Sequence, residues 1–185
     1  MTDGVARCLE LHGPLSIRNL SLPRLISRLP DTYWTSGQWM TERTGGSDIS
    51  QTETRAYPDG KGTYTIKGFK WFSSATDSDI TLLLAKTPGA TKVSLFWART
   101  KWDDGRLNGV RIIRLKDKFG TKQVPTAELE LTGMQGAVLI GREGEGVKAI
   151  SEVLNITRVH CAIGVVSSCK TAFAIVTVQL SLAGS

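Results

Sequence analysis

At 185 residues, with 41% apolar and 22% charged side chains, the chain has the balance of an ordinary soluble globular protein and enough length to bury a core without staples. Three cysteines, Cys8, Cys161 and Cys169, are too few and too irregularly spaced for a disulfide framework or a zinc site, and read as buried free thiols in a reducing compartment. The formal net charge of +6 is concentrated between Lys92 and Lys122, where nine basic residues face three acids; spread over several elements without aromatic interleaving, they read as solvated strand faces and loops rather than a nucleic-acid surface.

Residues Met1 to Pro30 read as short helical pieces, Val5 to His12 and Leu22 to Leu29, broken by Gly13-Pro14 and closed by Pro30. Their apolar residues, Val5, Leu9, Leu22, Leu25, Ile26 and Leu29, are expected to pack on the strands of the middle segment or on the C-terminal helix. No charged n-region leads into an apolar core here, so no signal peptide is expected.

From Thr32 to Thr132 the periodicity is that of strands: Trp39 to Thr41, Thr52 to Tyr57, Thr63 to Ile66, Phe69 to Ser73, Ile80 to Lys86, Val93 to Ala98, Val110 to Leu115 and Glu128 to Thr132. Pro58-Asp59-Gly60-Lys61-Gly62 is a hairpin signal. Ile80 to Ala85 is nearly continuous apolar sequence, as for a strand covered on both faces, whereas Glu128 to Leu131 alternates, as for one with a wet face. Many short strands separated by turns point to a barrel or a sandwich.

After Gly144-Glu145-Gly146 the pattern is helical to about Leu180. Two apolar stripes, one through Ile156, Val159, Ile163, Val166, Phe173, Val176 and Leu180, the other through Leu154, Cys161, Val165, Ala172 and Ile175, leave little polar face. Such a helix is expected to bury itself against the N-terminal pieces and a second copy of the chain, giving a homodimer. The uncharged stretches on either side of Lys170 each fall short of a membrane span, so a soluble, cytoplasmic protein without membrane association is expected.

Gly37 to Ser50, GQWMTERTGGSDIS, is a loop in which paired glycines let backbone N–H groups and small hydroxyls converge, though Gly-Gly-Ser-Asp also suits an ordinary turn. This block, succeeded in order by Lys70-Trp71-Phe72-Ser73, Leu115-Lys116-Asp117-Lys118-Phe119-Gly120 and Gly144-Glu145-Gly146-Val147, resembles the acyl-CoA dehydrogenase family, nearest to the branch of bacterial adaptive-response proteins and their fungal relatives. The resemblance runs from about Arg24 to about Ala174 and selects the barrel. It implies a mainly β fold with flanking helices: residues 1–31 as a remnant of an N-terminal helical domain, 32–143 as the middle-domain β-barrel, and 144–185 as one long, shortened C-terminal helix.

By the same resemblance, Met40, Thr41, Ser47, Trp71 and Ser73 are the candidate cofactor-binding residues. Met40 and Thr41 match the loop at the flavin pyrimidine edge, Ser47 a position near phosphates, Trp71 the tryptophan against the isoalloxazine and Ser73 a hydroxyl near N5. A plain barrel-core aromatic is the alternative for Trp71. The family's catalytic glutamate, which some branches place just before the arginine matching Arg158, is replaced by Thr157, a hydroxyl that does not act as a base near neutral pH without activation. Arg158 and His160 are left as candidate catalytic groups, and no metal-ligating spacing is present.

Three functions are compatible with these residues. The first is a shortened relative whose former flavin or acyl pocket, lined by Trp39, Met40, Trp71, Phe72 and Arg158, binds a hydrophobic small molecule without a cofactor and catalyses a non-redox cyclisation or isomerisation. The second is an FAD-binding oxidoreductase fragment of acyl-CoA dehydrogenase type with weak or no dehydrogenase activity, and the third a non-enzymatic interaction or nucleic-acid-associated domain.

Overall fold

A computed structural model describes residues 1–46 and 48–183. Two helices, α1 (Thr2–His12) and α2 (Leu15–Leu25), precede seven strands: β1 (Ser36–Trp39), β2 (Arg55–Pro58), β3 (Tyr64–Ser74), β4 (Ile80–Ala85), β5 (Ser94–Arg99), β6 (Val110–Leu115) and β7 (Thr126–Ile140); a final helix, α3 (Gly146–Ala183), completes the fold. The strand order is β2-β3-β1-β4-β5-β7-β6, and an additional β3–β7 pairing closes β3, β1, β4, β5 and β7 into a ring. The expected barrel with flanking helices is therefore present, with β2 and β6 hydrogen-bonded to its outside members.

Two apolar cores share the β4–β5 wall. Leu83, Ala85, Phe96 and Ala98 point into the barrel with Trp39, Ile66, Leu129 and Leu131. The alternate residues Ile80, Leu82, Leu84, Leu95 and Trp97 meet Val5, Leu9, Ile150 and Val153 of α1 and α3. Every residue of β4 is buried, as its unbroken apolar sequence requires. Full burial of one such large side chain contributes about 1.5–3 kcal/mol, so this doubly used wall dominates the packing.

Several element boundaries differ from expectation for identifiable reasons. The second helix starts directly after Pro14, whose φ of −62° suits a helix start, and carries Pro23 inside, so it ends at Leu25 rather than at Pro30. Ile26 and Leu29 are consequently exposed, while Val5, Leu9 and Leu25 are buried as expected. The two short strands at Thr63 and Phe69 are one strand, β3, continuous through Gly68, where a Cβ would lie 2.6 Å from Thr54 Oγ1. Strand β7 continues to Ile140, past Gly133 and Gly136, because β3, β5 and β6 all pair with it. The hairpin at Asp59 forms, its carboxylate accepting from the Lys61 and Thr63 N–H groups at 2.8 and 3.1 Å.

The last helix departs furthest. Ala149, Ile150 and Val153 are buried against α1 and β5, but the apolar residues beyond them are open: Val159 is 59% exposed, Val166 68% and Phe173 78%. The N-terminal pieces thus cover only its first turns. Cys161 and Cys169, expected to be buried, are exposed; Cys8 alone is buried, and burial, with Glu152 nearby, pushes its thiol up to about 12. By length and composition α3 is also sufficient to cross a membrane, with an 18-residue window of mean hydropathy 1.8, because Lys170 is a single interruption between two apolar runs. Neither uncharged stretch beside Lys170 reaches that length by itself; it is reached only with a charged residue inside the window.

Candidate flavin-type site on the barrel surface

The glycine loop leaves β1 at Trp39 and is bolted to the barrel by its own residues. The Trp71 N–H donates to the Thr41 carbonyl at 2.9 Å, and Glu42 and Gly45 exchange backbone hydrogen bonds at 3.2 Å. Gly45 is required because a Cβ there would approach the Asp48 carbonyl oxygen to 2.6 Å. The Glu42 carboxylate turns inward, where Oε1 meets Lys70 Nζ at 2.7 Å and Thr54 Oγ1 at 2.6 Å, and Oε2 accepts from the Glu53 N–H at 2.6 Å. Lys70 Nζ also donates to the Leu84 carbonyl at 2.7 Å.

Burial pushes the Glu42 carboxyl up, but the Lys70 charge and the hydrogen bonds from Lys70, Thr54 and Glu53 outweigh it and hold the group below its ordinary range. Burial lowers Lys70, and the Glu42 carboxylate opposes that shift. A charged pair at this depth persists because each member is also hydrogen-bonded to the barrel.

Lys70 lies opposite Leu129 and Ser73 opposite Ala127, both interior residues, so Lys70 and Ser73 face the barrel interior. Between them Trp71 and Phe72 together oppose Glu128 alone, a β-bulge that re-aims both aromatics. Phe72 is 46% exposed and Trp71 is half-buried. Lys116 Nζ stands 3.4 Å from the Trp71 ring centroid and the Arg43 guanidinium 5.0 Å from it; Phe69 lies tilted beside the indole at 6.4 Å. Glu128 receives Lys116 at 2.5 Å, with Arg43 at 3.6 Å and Arg114 at 4.0 Å. The Lys116 hydrogen bond, then the charges of Lys116, Arg114 and Arg43, hold its carboxyl below the ordinary range.

The structure therefore brings Thr41, Trp71 and Phe72 to one place, whereas the Ser73 hydroxyl is buried on the barrel side of β3. Met40 is half-buried and packs against the helix-side core, and Ser47 lies outside the described residues. Trp39 is sealed in the barrel, its Nε1–H donating to the Ser74 carbonyl at 3.1 Å. Arg158 and His160 lie on exposed α3: Arg158 Nη1 is 3.5 Å from Asn155 Oδ1, and His160 Nε2 is 2.8 Å from Asp3 Oδ2. Neither joins the described ring contacts or ion pairs around Trp71. The pocket expected for cyclisation or isomerisation, which combines Trp39, Trp71 and Arg158, gains no support from this arrangement.

Sequence reasoning missed the buried Glu42–Lys70 pair and the Arg43–Lys116–Glu128 cluster. The available signal was strand alternation, which sets Lys70 and Trp71 on opposite faces of β3. Seven of the nine basic residues between Lys92 and Lys122 are in ion pairs.

Comparison with known proteins agrees with this geometry. Residues 37–134 match the family described as Acyl-CoA dehydrogenase, middle domain. Acyl-CoA dehydrogenase family member 11 of Caenorhabditis elegans is 46% identical over 175 residues, covering 88% of this chain and 28% of that protein. The crystal structure of Caenorhabditis elegans ACDH-11 in complex with C11-CoA superposes with a TM-score of 0.80 at 45% identity, over 86% of this chain and 29% of that one. An acyl-CoA dehydrogenase from Bacillus anthracis complexed with FAD gives a TM-score of 0.65 at 25% identity, over 82% of this chain and 25% of that one. The chain thus spans less than a third of the length of these relatives. With the Trp71 bulge and most of the barrel inside the matched segment, the chain belongs to the acyl-CoA dehydrogenase family.

Proposed function

We propose that the chain is the flavin-holding barrel of an acyl-CoA dehydrogenase-type oxidoreductase, with FAD as cofactor and an acyl-CoA thioester as substrate. The observation that carries this reading is the half-buried Trp71 indole on the bulge, tied through its backbone N–H to the Thr41 carbonyl of the glycine loop. A flat cofactor needs an aromatic neighbour and polar groups at its edge, which the indole and the adjoining glycine loop offer. FAD, when bound, supplies the hydride-accepting ring for α,β-dehydrogenation of a thioester.

The chain's own residues bind and orient. Trp71 offers the aromatic surface, the Thr41 loop adjoins it, and the Glu42–Lys70 pair holds that loop to β3. Thr157 does not act as the proton acceptor in this reading, because a neutral hydroxyl is too weak a base near neutral pH and, among the described residues, no neighbouring base activates it in its bond to the Leu154 carbonyl at 2.9 Å. The free cysteines support a reducing, cytoplasmic setting, and the open apolar face of α3 supports a homodimer.

Titration with FAD, followed by visible absorption and indole fluorescence, tests the assignment. Near-stoichiometric binding that Trp71→Ala weakens at least about tenfold is the expected result, by analogy with the loss of a stacking aromatic. A protein that leaves the FAD spectrum and its own fluorescence unchanged refutes the reading.

A further inference from the structure

Trp71 does not offer a bare aromatic surface. The Lys116 ammonium sits 3.4 Å from the ring centroid, on a side chain only 10% exposed, and donates to Glu128 at 2.5 Å. Arg43 covers Trp71 at 5.0 Å and Phe69 at 4.6 Å, and Arg114 lies 4.0 Å from the same Glu128. Three cations therefore share one carboxylate beside the indole, leaving an excess of positive charge there.

We propose that Lys116 is the specificity-determining residue of this surface: it selects planar heteroaromatic rings with an anionic or carbonyl-rich edge and rejects neutral hydrocarbon rings of similar size. The inference rests on the flavin reading of the site. A hydrocarbon ring stacking on Trp71 must push the ammonium from the indole and returns no acceptor for it. A ring with carbonyl or imide groups accepts a hydrogen bond from the same ammonium, which has three donors and spends one on Glu128. The cation–π contact then gives way to a charge-assisted hydrogen bond, and the Glu128 contact is kept.

The test uses the full chain and two neutral, phosphate-free probes: lumiflavin, a flavin ring with an imide edge, and N-phenyl-1-naphthylamine, a hydrocarbon-like fluorophore. Lys116→Met keeps the stem and removes the charge. Lumiflavin affinity is expected to fall about tenfold in this variant, while the naphthylamine binds equally or more tightly. Glu128→Gln leaves the ammonium unpaired and is expected to hold or raise lumiflavin affinity, which gives a second reading that does not depend on the folding of the first variant. Unchanged or tighter lumiflavin binding in Lys116→Met, or a matching loss in Glu128→Gln, overturns the selector role while FAD binding by the parent protein leaves the flavin reading standing. A parent protein that binds neither FAD nor lumiflavin overturns both.

Discussion

Glu42 Oε1 and Lys70 Nζ meet at 2.7 Å inside the barrel wall, one at the root of the glycine loop and the other immediately before Trp71. The contact connects the two sequence blocks that form the candidate site. Lys70 is fully buried and Glu42 is 5% exposed, so neither charge can be left alone without cost. Replacing Lys70 with Met strands the Glu42 carboxylate and is expected to lower unfolding stability by about 3–5 kcal/mol, the range for breaking a buried pair. Urea denaturation measures this. A loss within experimental error would mean that water reaches the carboxylate and the pair does not hold the loop.

Acid should act through the same group and through Glu128. Both carboxyls lie below their ordinary range in the folded chain, so between the folded and unfolded values the unfolded chain binds more protons. Their contribution to stability is complete above the ordinary glutamate range and is lost as pH falls through the lowered values. Thermal melts across acidic pH should show that decline, and Glu42→Gln should flatten it while reducing stability at neutral pH. An acid limb identical in the variant would assign the effect to other carboxyls.

Two tryptophans, Trp39 at the start of the glycine loop and Trp71 on the bulge, separate packing from binding. Trp39, fully buried in the barrel, is expected to cost about 3–5 kcal/mol when changed to Ala. Trp71→Ala, on the half-buried outer face, should cost far less stability and remove flavin binding instead. Parallel denaturation and FAD titrations distinguish the two; equal stability losses would place Trp71 in the core.

Self-association should depend on α3. Val166 and Phe173, 68% and 78% exposed on a largely uncharged helix, are expected to lie in a homodimer contact. Sedimentation should show a dimer in the parent protein and a monomer after Val166→Glu with Phe173→Glu. A monomeric parent at high concentration would contradict the contact.

Thiol chemistry reports the same geometry independently. Cys161 and Cys169 are exposed and should react rapidly with a disulfide reagent at neutral pH, whereas Cys8, buried, hydrogen-bonded to the Ala149 carbonyl at 3.3 Å and raised to about 12, should react only on unfolding. Three fast thiols in the native protein would show that α1 does not pack as described.

Alternation and turn chemistry by themselves determined the strand-rich middle, the Asp59 hairpin, the doubly buried β4 and the long terminal helix, since these depend on side chains near one another along the chain. The ordered motifs carried the family and pointed to Trp71 and Thr41. Only the tertiary structure decided that Lys70 meets Glu42 across 28 residues, that Lys116 stands over Trp71, and that Trp39 is sealed away from both. Strand pairing between distant segments and a single-residue bulge set which face each side chain takes, and local periodicity carries no record of either. The same holds for α3: its apolar stripes are legible in the sequence, but the extent to which neighbours cover them depends on where α1 ends and β5 lies.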